Sequence, residues 1–185
     1  MKELLKLADK IEDKELKEKT IDLLRDIKLS NKNLNYKQIK LEECPGGYKG
    51  FEHHMEKGGL ITHTRNVTEL SIKIADFIDQ KYCKINKDYI IAGALLHDLM
   101  RVFDFKKKGR KYELVGKLIS HEELIGCELY ARNFPEEVIH IVLNHLKLEG
   151  GLILEAMIVH FADTIDAYTD AYLRELLKET LKAEI

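Results

Sequence analysis

Apolar residues recur along this chain at helical rather than strand spacing. Residues 2–29 read as one or two surface helices, with Leu16, Leu24 and Ile27 close to a helical period. Asn31 to Asn35 break that pattern, and the segment 36–59 has no clear period. It carries Pro45-Gly46-Gly47, Gly50, His53-His54 and Gly58-Gly59, and irregular stretches this long in a small domain are usually functional or mobile. The next predicted helix runs from about Leu60 to Tyr82, with a stripe of His63, Val67, Leu70, Ile74 and Phe77. Another spans about Asp88 to Met100, where Ala92, Gly93 and Ala94 allow close helix contact. Residues 103–116 form a basic, irregular insert. A helix then follows over about 117–133. Pro135 suits the first turn of the next helix, which Gly150-Gly151 would end, and one or two more fill 152–184. No strand pattern stands out, so the predicted fold class is all-α.

Composition narrows the class further. The chain has 185 residues, 45% hydrophobic and 34% charged, which fits one folded domain. We take 1–185 as a single unit, with a helical extension over 1–35, a core over 50–170 and a helix end over 171–185. The net charge of −2 argues against a surface built to coat nucleic acid. No apolar run approaches the length of a membrane span and no signal-peptide pattern opens the chain, so a cytoplasmic location is expected. Cys44, Cys83 and Cys127 form no CxxC pair, and each reads as a small apolar residue. Abundant Lys, Glu and Ile with only Gln38 and Gln80 suggest a thermophilic source. The amphipathic ends, 2–29 and 167–184, could pack against a second copy in a homo-oligomer.

The eight histidines carry the candidate chemistry. His63 lies on the apolar stripe of its helix. His145 shares a face with Val138, Ile141 and Val142, whereas His140 points about 140° away and reads as surface. His121 shares a face with Ile125 and Leu129. His97-Asp98 ends an apolar run, and Asp163 follows Ile158 to Ala162. An unpaired buried carboxylate costs several kcal/mol. Aspartates and imidazoles on the apolar faces of several helices therefore point to mutual compensation. A divalent metal provides it, because carboxylate oxygen and imidazole nitrogen are natural ligands.

These residues resemble the pattern of the HD superfamily of metal-dependent phosphohydrolases. The matching runs are Gly58-Gly59-Leu60-Ile61-Thr62-His63-Thr64, Leu95-Leu96-His97-Asp98 and Phe161-Ala162-Asp163-Thr164-Ile165-Asp166-Ala167. The resemblance covers about residues 50–170 and implies a helical bundle with a central metal site. It implies that His63, His97, Asp98 and Asp163 bind a first ion, and that Asp98 reaches a second ion held by His121 and His145. Asp98 and Arg101 take the catalytic roles. Arg101 stands where many two-metal relatives carry lysine, and it can grip a phosphate bidentately. Asp166 and His160 are placed just behind the ligands or at the substrate. His53 and His54 are either ordinary loop histidines or contacts to substrate or metal. Lys108 and Arg110 in the basic insert either steer a phosphorylated substrate or are simply solvated.

The implied cofactor is one or two divalent transition-metal ions. Fe²⁺ or Mn²⁺ is favoured, with Ni²⁺, Co²⁺ or Zn²⁺ as the other candidates. The implied partner is a small phosphate ester. The stand-alone archaeal type acting on the 2′,3′-cyclic phosphate of dihydroneopterin offers the most concrete substrate. The run from His53 to Thr64 also resembles the HD half of bacterial 3′-5′ exoribonucleases, which leaves RNA or single-stranded DNA ends as an alternative. A non-catalytic metal- or nucleotide-binding regulator is a third.

Overall fold

The computed structural model describes residues 1–109, 111–147 and 151–183, with side chains described through 180. Among them the chain forms seven α-helices, two short 3₁₀ turns and one hairpin. Helix α1 (Lys2–Ala8) and helix α2 (Lys14–Arg25) open the fold. The Asp13 side chain caps α2 by accepting from the Leu16 amide at 2.8 Å. These helices are not free for a partner: Leu4, Leu7, Ile11, Leu16, Leu23 and Leu24 are all buried in the main core. Helix α3 (Gly59–Lys81) packs along helix α4 (Lys87–Leu96) and helix α7 (Leu154–Ala183). Helix α5 (His121–Ala131) and helix α6 (Glu136–Asn144) complete the bundle.

Helix α4 is its axis. Every residue from Ile90 to Leu96 is buried, because α1, α2, α3, α6 and α7 surround it. Each fully buried Leu or Ile there contributes about 1.5–3 kcal/mol. Gly93 is required by this crowding, since a Cβ would lie 2.4 Å from the Ile141 side chain of α6. The N-terminal layer is tied to the axis by Asp88, whose carboxylate accepts from the Glu12 and Asp13 amides.

Several boundaries differ from the sequence reading. α4 stops at Leu96 and not near Met100; the chain tightens into a 3₁₀ turn over Leu99–Phe103. The predicted 60–82 stripe also rotates. Phe77 is exposed, while Thr64, Thr68, Ser71 and Ala75 are buried, because small residues let α3 lie close to its neighbours. The insert is an antiparallel hairpin of β1 (Phe105–Lys108) and β2 (Lys111–Leu114). Lysines on both of its faces hide the alternation; Phe105 is buried in the core and Tyr112 packs partly buried against it. α5 begins at His121, fixed by a capping box between Ser120 and Glu123. α6 ends at Asn144, before Gly151, and Gly150 lies outside the described residues. Among the described residues no helix is long and apolar enough to cross a membrane.

Candidate metal centre

Five helices bring polar side chains to one point. His63 comes from the first turns of α3. His97 and Asp98 follow α4, His121 is the first residue of α5, His145 follows α6, and Asp163 lies on α7. The change of winding after Leu96 turns Asp98 out of the α-helical path, at φ −105° and ψ 6°.

Four imidazoles are held the same way, each with Nδ1 committed to an oxygen behind it. His97 Nδ1 donates to the Ala94 carbonyl at 2.8 Å, and His145 Nδ1 to the Val142 carbonyl at 2.7 Å. His63 Nδ1 donates to Asp166 Oδ2 at 2.7 Å, and His121 Nδ1 lies 3.0 Å from Asp104 Oδ2. In the neutral ring each Nε2 is therefore the nitrogen that carries the lone pair, and all four converge. The donors form two triads, His63–His97–Asp163 and Asp98–His121–His145, each with its ligand atoms within 4.8 Å of one another.

Asp98 faces both triads. Its Oδ1 lies 3.1 Å from His121 Nε2 and 3.4 Å from His145 Nε2. Its Oδ2 lies 3.7 Å from His63 Nε2 and 3.8 Å from His97 Nε2. Asp98 Oδ1, His121 Nε2 and His145 Nε2 are buried without a hydrogen-bond partner. Three orphaned lone-pair atoms around one point fit a cation, which would satisfy all three at once.

The electrostatics agree. Burial would lower the His63 imidazolium, but hydrogen bonds to Asp163 and Asp166 outweigh it and raise its pKa to about 10. Burial likewise opposes charge on His121, and Asp104 and Asp98 carry it up to about 9. Burial holds His97 neutral, down at about 4. For Asp98 burial favours the neutral acid, yet Arg101 and the surrounding imidazoles keep the carboxyl well below its usual range. His63 and His121 thus favour the charged form beside the aspartates, a place for positive charge that a bound cation would equally fill.

His53 and His54 are buried, not surface loop residues. The loop folds back over the start of α3, where Gly46 N donates to His54 O at 2.8 Å. Gly59 is obligatory at this crossing, because a Cβ would lie 1.8 Å from that same carbonyl oxygen. His54 is held at φ 43° by its bonds: Nε2 donates to Asp166 at 2.8 Å and the amide to Asp170 at 2.6 Å. Asp166 also accepts from Asn66. His54, His63 and Asp166 are close enough to hold an ion themselves. Because His63 directs Nε2 to the other triad, we read Asp166 as the group that orients His63.

His53 lines the cavity with Nδ1 unpartnered, and burial lowers its pKa to about 4. His160 gives Nδ1 to the His145 carbonyl at 2.7 Å and also lines the cavity. Arg101 is buried beside Asp98 under the Tyr48 ring. The cavity is about 770 Å³, and Tyr48, Phe51 and Tyr168 form its aromatic side.

Lys108 is not part of this cavity. The hairpin carries it into solvent, where it pairs with Glu113 at 2.9 Å. Arg110 lies outside the described residues. His140 belongs to neither triad; it is half-buried beside Asn144 rather than on the surface. Sequence reasoning missed Asp104 and Lys117. Asp104 orients His121 and is ion-paired with the nearly buried Lys117, whose ammonium lies over the Tyr36 ring. Asp104 sits just before a run of lysines and Lys117 is one more lysine past the hairpin, so nothing in residue type or spacing marks them.

A family profile described as "HD domain" matches residues 60–168, an interval holding all six ligand candidates. A curated relative from Methanocaldococcus jannaschii, the dihydroneopterin 2′,3′-cyclic phosphate phosphodiesterase, is 39% identical over 175 residues. The match spans 90% of this chain and 69% of that relative. No solved structure matches.

Proposed function

The chain belongs to the HD domain family and is an enzyme of its phosphohydrolase class, and from that premise we propose a two-metal phosphodiesterase that opens a small 2′,3′-cyclic phosphate. Dihydroneopterin 2′,3′-cyclic phosphate is the leading substrate, the compound in the relative's name. The observation that carries this reading is the convergence of four outward-pinned imidazoles and two aspartates on an open cavity with an aromatic side.

Fe²⁺ or Mn²⁺ suits a set so rich in imidazole. When bound, such ions supply Lewis-acid charge to the phosphoryl group and a nucleophile at neutral pH. His63, His97 and Asp163 would hold one ion, His121 and His145 the other, with Asp98 between them. Arg101 keeps a full positive charge against the centre and is the side chain to balance the phosphate's equatorial oxygens. His53 stays neutral at physiological pH, so its N–H can donate to the ester without repelling a cation nearby. With its Nδ1 given to the His145 carbonyl, His160 has Nε2 left to hydrogen-bond the alcohol product. Phe51, Tyr48 and Tyr168 offer ring faces to a flat heterocycle.

The His53–Thr64 run needs no oligonucleotide to explain it. His54 braces Asp166, Gly59 permits the loop crossing and His63 supplies a ligand nitrogen. The test is anaerobic loading with Fe²⁺ or Mn²⁺ and a panel of dihydroneopterin cyclic phosphate, nucleoside 2′,3′-cyclic phosphates, 5′-nucleotides and short RNA. Metal-dependent ring opening of a cyclic phosphate is expected. Preferential shortening of RNA would replace this reading with a nuclease. Failure on every ester would leave a regulator.

A further inference from the structure

Helix α7 has two apolar faces and only one of them is covered. Ala156, Val159, Ala162 and Ala167 pack inward, and the three aspartates 163, 166 and 170 turn toward His63, His54 and Arg174. Phe161, Ile165, Tyr168, Tyr172 and Leu176 fall within about 80° of one another on the opposite side, at about 100° per residue. They are exposed by 43%, 50%, 63%, 64% and 41%. A surface helix normally turns polar residues outward, and single exposed apolar residues are ordinary. A contiguous stripe of this size is neither.

We propose that two copies of this chain associate through this face of α7, in an antiparallel, two-fold arrangement centred on Tyr168. Two observations select a second copy. The stripe is nearly symmetric about Tyr168, with apolar positions three and seven residues before it and four and eight after. An isologous contact needs such self-complementarity. Its area also fits. Five large side chains, each about half exposed, present on the order of 600 Å² per copy, and doubled this reaches the lower end of a specific interface.

The flanks argue against a membrane surface. A helix lying on lipid borders its apolar face with lysine and arginine. Here the nearest flanking residues are Thr164, Thr169 and Glu175, and Glu179 ends the stripe.

The pairing reaches the catalytic cavity. Tyr168 belongs to the stripe, lines the cavity and packs against Phe51 with ring centroids 5.1 Å apart. A second α7 would stand beside the cavity mouth and shield this aromatic side from water. The interface concerns a surface, so it stands or falls independently of the substrate.

Sedimentation equilibrium of the full-length, metal-loaded protein decides it. The expected species is a dimer of the 21.5 kDa chain at micromolar concentration. The double variant Tyr172→Glu/Leu176→Glu should be monomeric with unchanged helical signal and metal content. Phe77→Glu, an equally exposed apolar site on α3, should stay dimeric. A monomeric wild type, or a dimer that survives the double substitution, overturns the proposal. Should the double variant misfold, a nitroxide at Thr169→Cys, with Cys83 and Cys127 changed to Ser, gives the answer. Short-range coupling between copies supports the pairing, and its absence overturns it.

Discussion

The two triads of the centre use the same parts in different settings. Each pairs one imidazole oriented by a carboxylate with one oriented by a backbone carbonyl: His63 with His97, and His121 with His145. The first triad draws His63 and Asp163 from within the two longest helices. The second is built at element ends: the residue after α6, the first residue of α5, and Asp98 at the turn after α4. It also depends on Asp104 and Lys117, which flank the hairpin. Helix interiors hold ligands more rigidly than helix ends and loops. The second triad should therefore be the weaker metal site and the easier one to empty.

The largest effect should come from the residue that faces both triads. Asp98→Ala removes one ligand from each and should lower turnover by about 10³-fold or more while leaving the helical circular dichroism signal intact. Retained activity would remove the two-metal proposal. Next in size, His145→Ala should empty the second site alone, whereas His140→Ala should leave metal content near wild type. Equal losses at the two positions would mean that the triad assignment is wrong.

The orienting carboxylates come third. Asp104→Asn should weaken the second site and Asp166→Asn the first, each by about 10–100-fold in metal affinity. The comparison fails if both substitutions act on the same ion. The smallest effect concerns pH and the metal-free protein. His63 is raised from 6.5 to about 10 and His121 to about 9. Each adds stability that is full below about pH 6.5 and is lost as pH rises through those values. The melting temperature of the metal-free protein should therefore fall between about pH 7 and 10. Loaded protein should escape that part of the decline, because bound ions need the neutral imidazoles, and metal affinity should rise over the same range.

Much of this centre was legible in the sequence because burial and chemistry conflict there. His97, Asp98 and Asp163 stand in otherwise apolar runs, His63 lies on an apolar helical stripe, and helical spacing separates His145 from His140 without any family knowledge. Spacing could not reveal where a winding changes. The α-to-3₁₀ transition that aims Asp98 follows from crowding around α4, a property of the whole bundle. The hairpin escaped because its alternating faces both carry lysine. The choice between the two readings of His54 stayed open because a histidine in a glycine-rich loop looks exposed until the loop crosses Gly59. Asp104 and Lys117 escaped for a related reason: each derives its role from the other and from His121, which lies 17 positions after Asp104.

The most direct test is an anaerobic metal titration of the full-length protein, counted by elemental analysis, with the wild type and His145→Ala side by side. The wild type should bind two ions per chain in separable tight and weaker steps, and His145→Ala should keep only the tight one. A single step in the wild type, or two ions retained by His145→Ala, would contradict the two-triad centre.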